Sequence, residues 1–135
     1  MIYLLDTNTC IQYINQRNSS VLKIMRTKKR SDLVICDIVK FELYYGAYKS
    51  QRREKNLELL SELFAEFLSL PFDGNAARTA GMIRTNLESK GTPIGAYDLQ
   101  IVAIALANNL ILVTHNTREF SRIEGLIIED WEVES

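Results

Sequence analysis

The chain alternates between short apolar runs and longer stretches whose apolar residues recur at helical spacing. Short runs that are apolar throughout are typical of parallel strands buried on both faces. They occur at residues 2–5, 33–36, 69–72, 110–114 and 126–128. Because Pro71 cannot donate a backbone hydrogen bond, the run at 69–72 is predicted to form an edge strand.

The stretches between these runs have apolar residues at helical spacing, and cap-forming residues lie near the start of several of these predicted helices. The predicted helices cover residues 7–14, 18–30, 37–46, 53–68, 73–90 and 98–107. The last of these is apolar nearly all round and is therefore expected to be buried. Strands that alternate with helices predict an α/β fold, with a parallel sheet of about five short strands and helices on both faces. We expect one domain spanning residues 1–135.

Composition supports a globular protein and argues against a membrane location. The 135 residues are 47% hydrophobic and 24% charged, which is ordinary for a single domain with its own core. No apolar run reaches the roughly 20 residues needed to cross a bilayer, and the N-terminus lacks the basic segment of a signal peptide. Cys10 and Cys36 lack metal-ligand spacing, so we expect reduced thiols and a cytoplasmic protein.

The net charge of −1 hides two basic clusters. The first comprises Lys23, Arg26, Lys28, Lys29 and Arg30, and the second comprises Lys49, Arg52, Arg53 and Lys55. Each cluster is explained either as a solvated helix end or as a contact for a polyanion, because local patches set the surface potential.

Three carboxylates occupy positions that packing alone does not explain. Asp6 closes the first apolar run, Glu42 interrupts an apolar helix face, and Asp98 opens the most apolar helix. In open α/β sheets, ligands bind at the carboxyl ends of the strands. Acids that converge there repel one another unless a cation lies between them. We therefore predict a site for Mg²⁺, or alternatively Mn²⁺, because both prefer hard oxygen ligands.

Polar residues near the same strand ends form a second group of candidates. Asn8 follows Asp6, and Asn116 and Glu119 follow the run at 110–114. His115, the only histidine, can act as a general base, although its place beside a buried strand favours an ordinary end-of-strand side chain. A metal-bound water can attack phosphorus without a covalent nucleophile, and the sequence has no serine elbow, supported Cys–His pair or P-loop.

Each acid also has a structural explanation when it is considered alone. Asp6 and Asp98 stand at predicted helix starts, where a carboxylate can cap backbone amides. Glu42 can be a surface residue of a half-exposed helix. The functional interpretation is favoured because three acids on three separate elements fall at one sheet edge.

Four motifs occur in order along the chain. They are Asp6-Thr-Asn, Glu42-Leu-x-x-Gly46, Thr92-Pro-Ile-Gly-x-x-Asp98 and Leu112-Val-Thr-x-Asn-x-x-Glu-Phe120. In this order they resemble the PIN-domain ribonucleases, and in particular the VapC toxins of bacterial VapBC toxin–antitoxin pairs. The resemblance covers essentially the whole chain and implies a single PIN-type nuclease domain.

The resemblance implies an Mg²⁺- or Mn²⁺-dependent endoribonuclease that cuts a structured RNA, such as a tRNA. Asp6 and Asp98 match the family's principal metal ligands, Glu42 matches the third acid, and Glu119 lies in the fourth acidic region. Many relatives have Asp where this chain has Asn116. A small polar residue often precedes the acid that Asp98 matches, so Tyr97 either narrows the site or adds a stacking surface.

The resemblance also implies protein partners. We expect a cognate VapB-type antitoxin, and contact with DNA only indirectly through it. The helix predicted at 53–68 and the Tyr-rich helix before it offer more apolar surface than one small sheet covers, so we also expect a homodimer.

Three other functions stay open at this stage. A haloacid-dehalogenase-type phosphatase would need a second Asp where this chain has Asn8, and a downstream lysine motif. A receiver-type signalling domain would need paired acids after the first strand, and a lysine where this chain has His115. A non-catalytic domain that binds RNA or a partner would differ in showing no metal-dependent RNA cleavage.

Overall fold

The computed structural model describes residues 1–16 and 19–132. In this part of the chain five strands form one sheet in which all neighbouring strands are parallel. The strands are β1 (Tyr3–Leu5), β2 (Leu33–Cys36), β3 (Leu68–Leu70), β4 (Ile111–Val113) and β5 (Ile127–Glu129). Their order is β3-β2-β1-β4-β5, which confirms the predicted parallel sheet.

Seven α-helices and one 3₁₀ turn connect the strands in residues 1–16 and 19–132. The helices are α1 (Thr7–Asn15), α2 (Ser19–Thr27), α3 (Asp37–Lys49), α4 (Arg53–Glu66), α5 (Gly74–Ser89), α6 (Ala96–Ala107) and α7 (Thr117–Phe120), and the 3₁₀ turn is Arg30–Asp32. The strand order runs one way from β1 to β3 and the other way from β4 to β5. Right-handed crossovers therefore place α1–α4 on one face and α5 and α6 on the other.

The core lies on both faces of the central strands. Leu4 and Leu5 of β1 are fully buried, as are Leu112 and Val113 of β4. The middle of α6 is buried throughout residues 101–105, as its all-round apolar sequence predicts. Strand β3 lies at an edge as predicted, but it covers Leu68–Leu70 and not 69–72, so Pro71 lies outside it.

The structure corrects three details of the sequence prediction. Helix α6 begins at Ala96 with Gly95 as its N-cap, so Asp98 lies inside the first turn and is not the cap. Helix α3 continues through Gly46 to Lys49, so a single glycine does not end the helix here. The helix predicted at 53–68 ends at Glu66, since Leu68 pairs with β2 in β3. The proposed cap at Asn18 lies outside the described residues.

Both cysteines are free and fully buried. Burial raises the pKa of the Cys36 thiol to about 11, so neither position suggests a reactive thiolate. Among residues 1–16 and 19–132, no helix is long and apolar enough to cross a membrane.

Candidate active site

The predicted acids come from four separate elements and lie around the carboxyl ends of β1 and β4. Asp6 directly follows β1, Glu42 lies in α3, Asp98 lies in the first turn of α6, and Glu119 lies in α7. Glu119, Glu42 and Asp6 all raise the pKa of Asp98 by charge repulsion. The sheet therefore brings together acids that are up to 113 positions apart in sequence.

Asp6 is fixed by hydrogen bonds on both sides of the β1–α1 junction. Its Oδ1 accepts from the Thr9 backbone amide at 2.8 Å, which confirms the predicted N-cap. Its own amide donates to the Val113 carbonyl at 3.1 Å and extends the ladder to β4. Burial raises the pKa of the Asp6 carboxyl, while hydrogen bonds from Thr114 and Thr9 oppose that rise.

Glu42 is held in place by the residue that follows Asp6. The Thr7 hydroxyl donates to Glu42 Oε1 at 2.6 Å. This bond links α3 to the start of α1 across 35 positions of sequence. Glu42 is half-buried, which is consistent with a surface position on a half-exposed helix, but its carboxylate is held by Thr7.

The charges of the other three acids all act on Asp98. Burial raises its pKa first, and the charges of Glu119, Glu42 and Asp6 raise it further, to about 6. Among residues 1–16 and 19–132, the ion pairs include none of these four acids. An acid that is partly desolvated and surrounded by other acids without a basic partner is typical of a cation site.

Glu119 and Asn116 are joined by a side-chain hydrogen bond. The Asn116 amide donates to Glu119 Oε2 at 2.8 Å, and the Asn116 backbone amide donates to the Thr114 hydroxyl at 3.1 Å. Asn116 thus orients Glu119 and is itself anchored at the end of β4. Glu119 stays the candidate acid of this region, with Asn116 as its hydrogen-bond donor.

A second polar cluster lies beside Asp6 at the end of β5. His115 Nδ1 and Asp130 Oδ2 are 2.9 Å apart, and Asn8 donates to Glu132 Oε2 at 3.0 Å. Asp130 raises the pKa of Asp6 by charge repulsion. The structure thus directs Asn8 toward the chain after β5, and not toward Asp98. His115 is exposed and bound to Asp130, as expected for an end-of-strand side chain.

The donor set determines which cation the acids suit. In the described part of the chain, His115, Asp130 and Glu132 have ligand atoms within 4.8 Å of one another, and no three of the predicted acids meet that spacing. A wider ring of carboxylates suits a cation that keeps part of its water shell, as Mg²⁺ does. The all-oxygen set around Asp98 is therefore compatible with Mg²⁺ or Mn²⁺.

Two residues at the site were missed by the sequence analysis. Thr7 positions Glu42, and Thr114 hydrogen-bonds to Asp6. Both belong to motifs named above, but a threonine beside a strand end is usually structural. Their roles depend on contacts between distant elements, which local sequence does not reveal.

Comparison with known proteins identifies relatives over nearly the full length. Residues 3–126 match the PIN domain. The chain is 40% identical over 129 residues to the tRNA(fMet)-specific endonuclease VapC of Salmonella typhimurium, covering 96% of this chain and 97% of that protein. It is 39% identical over 133 residues to Ribonuclease VapC2 of Rickettsia felis, covering 98% and 99%.

Solved structures agree with the sequence comparison. The VapBC2 complex of Rickettsia felis, bound to a DNA fragment from its promoter, matches with a TM-score of 0.91 at 38% identity, covering 97% of this chain and 99% of that one. DNA-bound VapBC of Salmonella typhimurium matches with a TM-score of 0.91 at 40% identity, covering 97% and 98%. The phosphatase and receiver interpretations are therefore wrong. The chain belongs to the PIN domain family and, within it, to the VapC ribonucleases.

Proposed function

We propose that this chain is a divalent-metal-dependent endoribonuclease that cleaves structured RNA of the tRNA class and serves as the toxin of a toxin–antitoxin pair. The observation that carries the proposal is the cluster of Asp6, Glu42, Asp98 and Glu119. Burial and the charges of Glu119, Glu42 and Asp6 together raise the pKa of Asp98 to about 6, and a bound cation would relieve the repulsion among the acids. The names of the relatives support RNA as the substrate.

Asp6, Glu42 and Asp98 are the proposed metal ligands, and Glu119 completes the acidic ring. When bound, Mg²⁺ or Mn²⁺ would lower the pKa of a water and stabilise charge on the attacked phosphate. The protein's part is to hold the carboxylates before the substrate arrives, which reduces reorganisation during the reaction. Thr7 fixes Glu42, Asn116 fixes Glu119, and the N-cap bond to Thr9 fixes Asp6.

A groove beside the site supports an antitoxin partner. It lies between α1, α3 and α4, has a volume of about 250 Å³, and is lined by apolar residues that include Ile11, Ile14 and Leu59. Glu42 also lines it. An apolar antitoxin segment laid in the groove would thus bring an Arg or Lys to the acids and displace the metal electrostatically. Contact with DNA would then occur through the antitoxin.

Exposed aromatic residues on α3 support a homodimer. Tyr45 is 61% exposed and Tyr48 is 54% exposed. Large apolar side chains clustered on a surface mark an interaction site. By contrast, α4 contributes none of the large exposed apolar residues in the described chain, so of the two helices expected to form the dimer surface, the Tyr-rich α3 is the better candidate.

The test is to incubate the purified protein with total RNA and Mg²⁺ and to sequence the new 5′ ends. The proposal predicts fragments that begin at one or a few positions within a structured RNA. Asp6→Asn is the control variant and should produce none of them. Fragments that form equally with Asp6→Asn, or a protein that binds RNA without cutting it, would contradict the enzymatic role.

A further inference from the structure

Two half-exposed aromatic rings lie on the two helices that carry Glu42 and Asp98. Phe41 immediately precedes Glu42, and Tyr97 immediately precedes Asp98. Their ring centroids are 5.3 Å apart with an interplanar angle of 62°. Each of the two residues is 48% exposed. The two elements that deliver acids to the site thus also deliver one ring each.

The pair is not explained by core packing. An edge-to-face contact stabilises the two rings against each other, but the rest of each ring surface is exposed to water. Neither residue belongs to the buried core or to the side chains packed against it. Exposed aromatic surface next to a reactive centre is a common feature of binding sites.

The charge around the rings restricts what can bind there. The acids repel phosphate, and they have no ion pair in residues 1–16 and 19–132. The proposed cation would hold the scissile phosphate, and a further contact that carries no charge would add to RNA binding without meeting this repulsion. A nucleobase provides one, because stacking on an aromatic ring is sequence-tolerant and independent of charge. Sequence-specific recognition of RNA commonly targets unpaired bases in loops.

We propose that Phe41 and Tyr97 stack an unpaired base that flanks the scissile phosphate, and that this contact helps to select the cleavage site. The inference rests on the proposed ribonuclease function. The occupant is a nucleobase because the two rings contact each other across α3 and α6, the helices that carry Glu42 and Asp98 of the proposed ribonuclease site.

A double-mutant cycle between ring and base tests the proposal. The substrate is a stem–loop RNA that contains the cleavage site, prepared intact and with single abasic nucleotides on either side of the scissile bond. The enzyme is wild type or Tyr97→Leu, which keeps apolar bulk but removes the aromatic face. We expect Tyr97→Leu to lower kcat/KM about tenfold on intact RNA, equivalent to about 1.4 kcal/mol.

The decisive quantity is the coupling free energy between Tyr97→Leu in the enzyme and the removal of one base from the RNA. At one abasic position Tyr97→Leu should cost little further activity, because the base that it contacts is already absent. Tyr97→Phe should restore most of the loss on intact RNA. Phe72→Leu is the matched control, since Phe72 is an exposed aromatic residue that follows the edge strand β3. Its effect should be the same on intact and abasic RNA.

Three outcomes would overturn the inference. Additive effects of Tyr97→Leu at every abasic position would show that the ring contacts no flanking base. Weaker dimerisation of Phe41→Leu in sedimentation, together with additive kinetics, would assign the rings to a second copy of the chain. A wild-type protein that cleaves no RNA would contradict the proposed function itself, whereas cleavage with additive effects would remove only the stacking.

Discussion

Replacing Asp98 with Asn separates catalysis from stability at a single position. The change removes a charge and keeps the size of the side chain. Asp98 has a pKa of about 6 where the ordinary value is 3.8, a difference of about two units. At about 1.4 kcal/mol per unit the ionised carboxylate costs roughly 3 kcal/mol in the folded protein. Because the side chain is only partly buried, solvent screening reduces this to roughly 1–2 kcal/mol.

The helix dipole reduces the expected gain further. Asp98 lies in the first turn of α6, where a carboxylate is stabilised by about 0.3–1 kcal/mol and Asn is not. We therefore expect Asp98→Asn to stabilise the metal-free protein by about 1 kcal/mol at pH 7. For a domain of this size that raises Tm by about 3–5 °C. RNA cleavage should fall by at least about a hundredfold, since a hard cation loses a charged ligand.

The stability difference between wild type and Asp98→Asn should depend on pH. A raised carboxyl pKa means that the folded state binds the proton more tightly than the unfolded state. The wild-type protein should therefore gain stability as pH falls from about 6 to about 4, and lose it as pH rises through 6. The advantage of Asp98→Asn should be full above pH 6 and should disappear near pH 4.

A control at another helix start makes this measurement interpretable. Asp73 caps α5, and its Oδ1 accepts from the Ala76 amide at 2.9 Å. Asp73→Asn should leave Tm and cleavage nearly unchanged, because Asn caps about as well as Asp. Calorimetry in EDTA across pH 4–8 gives the stabilities. If Asp98→Asn melts below wild type at pH 7 or retains full cleavage, the electrostatic argument is refuted.

Three further perturbations test other parts of the structure. Thr7→Val should lower kcat about tenfold by releasing Glu42, while Thr7→Ser should preserve it; equal rates for both variants would show that the 2.6 Å bond is dispensable. Trp131 is 2% exposed and its ring lies 5.3 Å from that of Tyr3 in a tilted arrangement, so Trp131→Ala should destabilise the fold by about 3 kcal/mol in urea denaturation; an unchanged urea midpoint would show that this burial contributes nothing to stability. RNA binding should weaken steeply between 50 and 200 mM salt if the basic clusters contact phosphates, whereas a flat response would exclude them.

The fold could be predicted from the sequence because its strands are apolar enough to be recognised from local sequence alone. The run at 33–36 is a strand with those same bounds in the structure, and all four of its residues are buried. Boundaries that depend on tertiary pairing were less predictable. Residues 67 and 68 continue a helical pattern, yet hydrogen bonding to β2 makes Leu68 part of β3 with 67% of its surface exposed.

The site was predictable in its acids and unpredictable in what supports them. Carboxylates that border apolar sequence are conspicuous, and this pattern predicted Asp6 at the end of β1 and Asp98 at the start of α6. The contact between Thr7 and Glu42 links residues 35 positions apart, and the contact between Asn8 and Glu132 links residues 124 apart. Nothing in a local pattern indicates such pairs, because they arise only after the sheet has brought the strand ends together.

The central claim is that the acids around Asp98 bind a divalent cation on which RNA cleavage depends. The most direct measurement is the single-turnover rate of cleavage of a tRNA transcript by chelated wild-type protein, followed as Mg²⁺ is restored. We expect no detectable RNA cleavage in EDTA and a cleavage rate that rises to saturation with Mg²⁺. Cleavage at an undiminished rate after complete removal of divalent metal would contradict it.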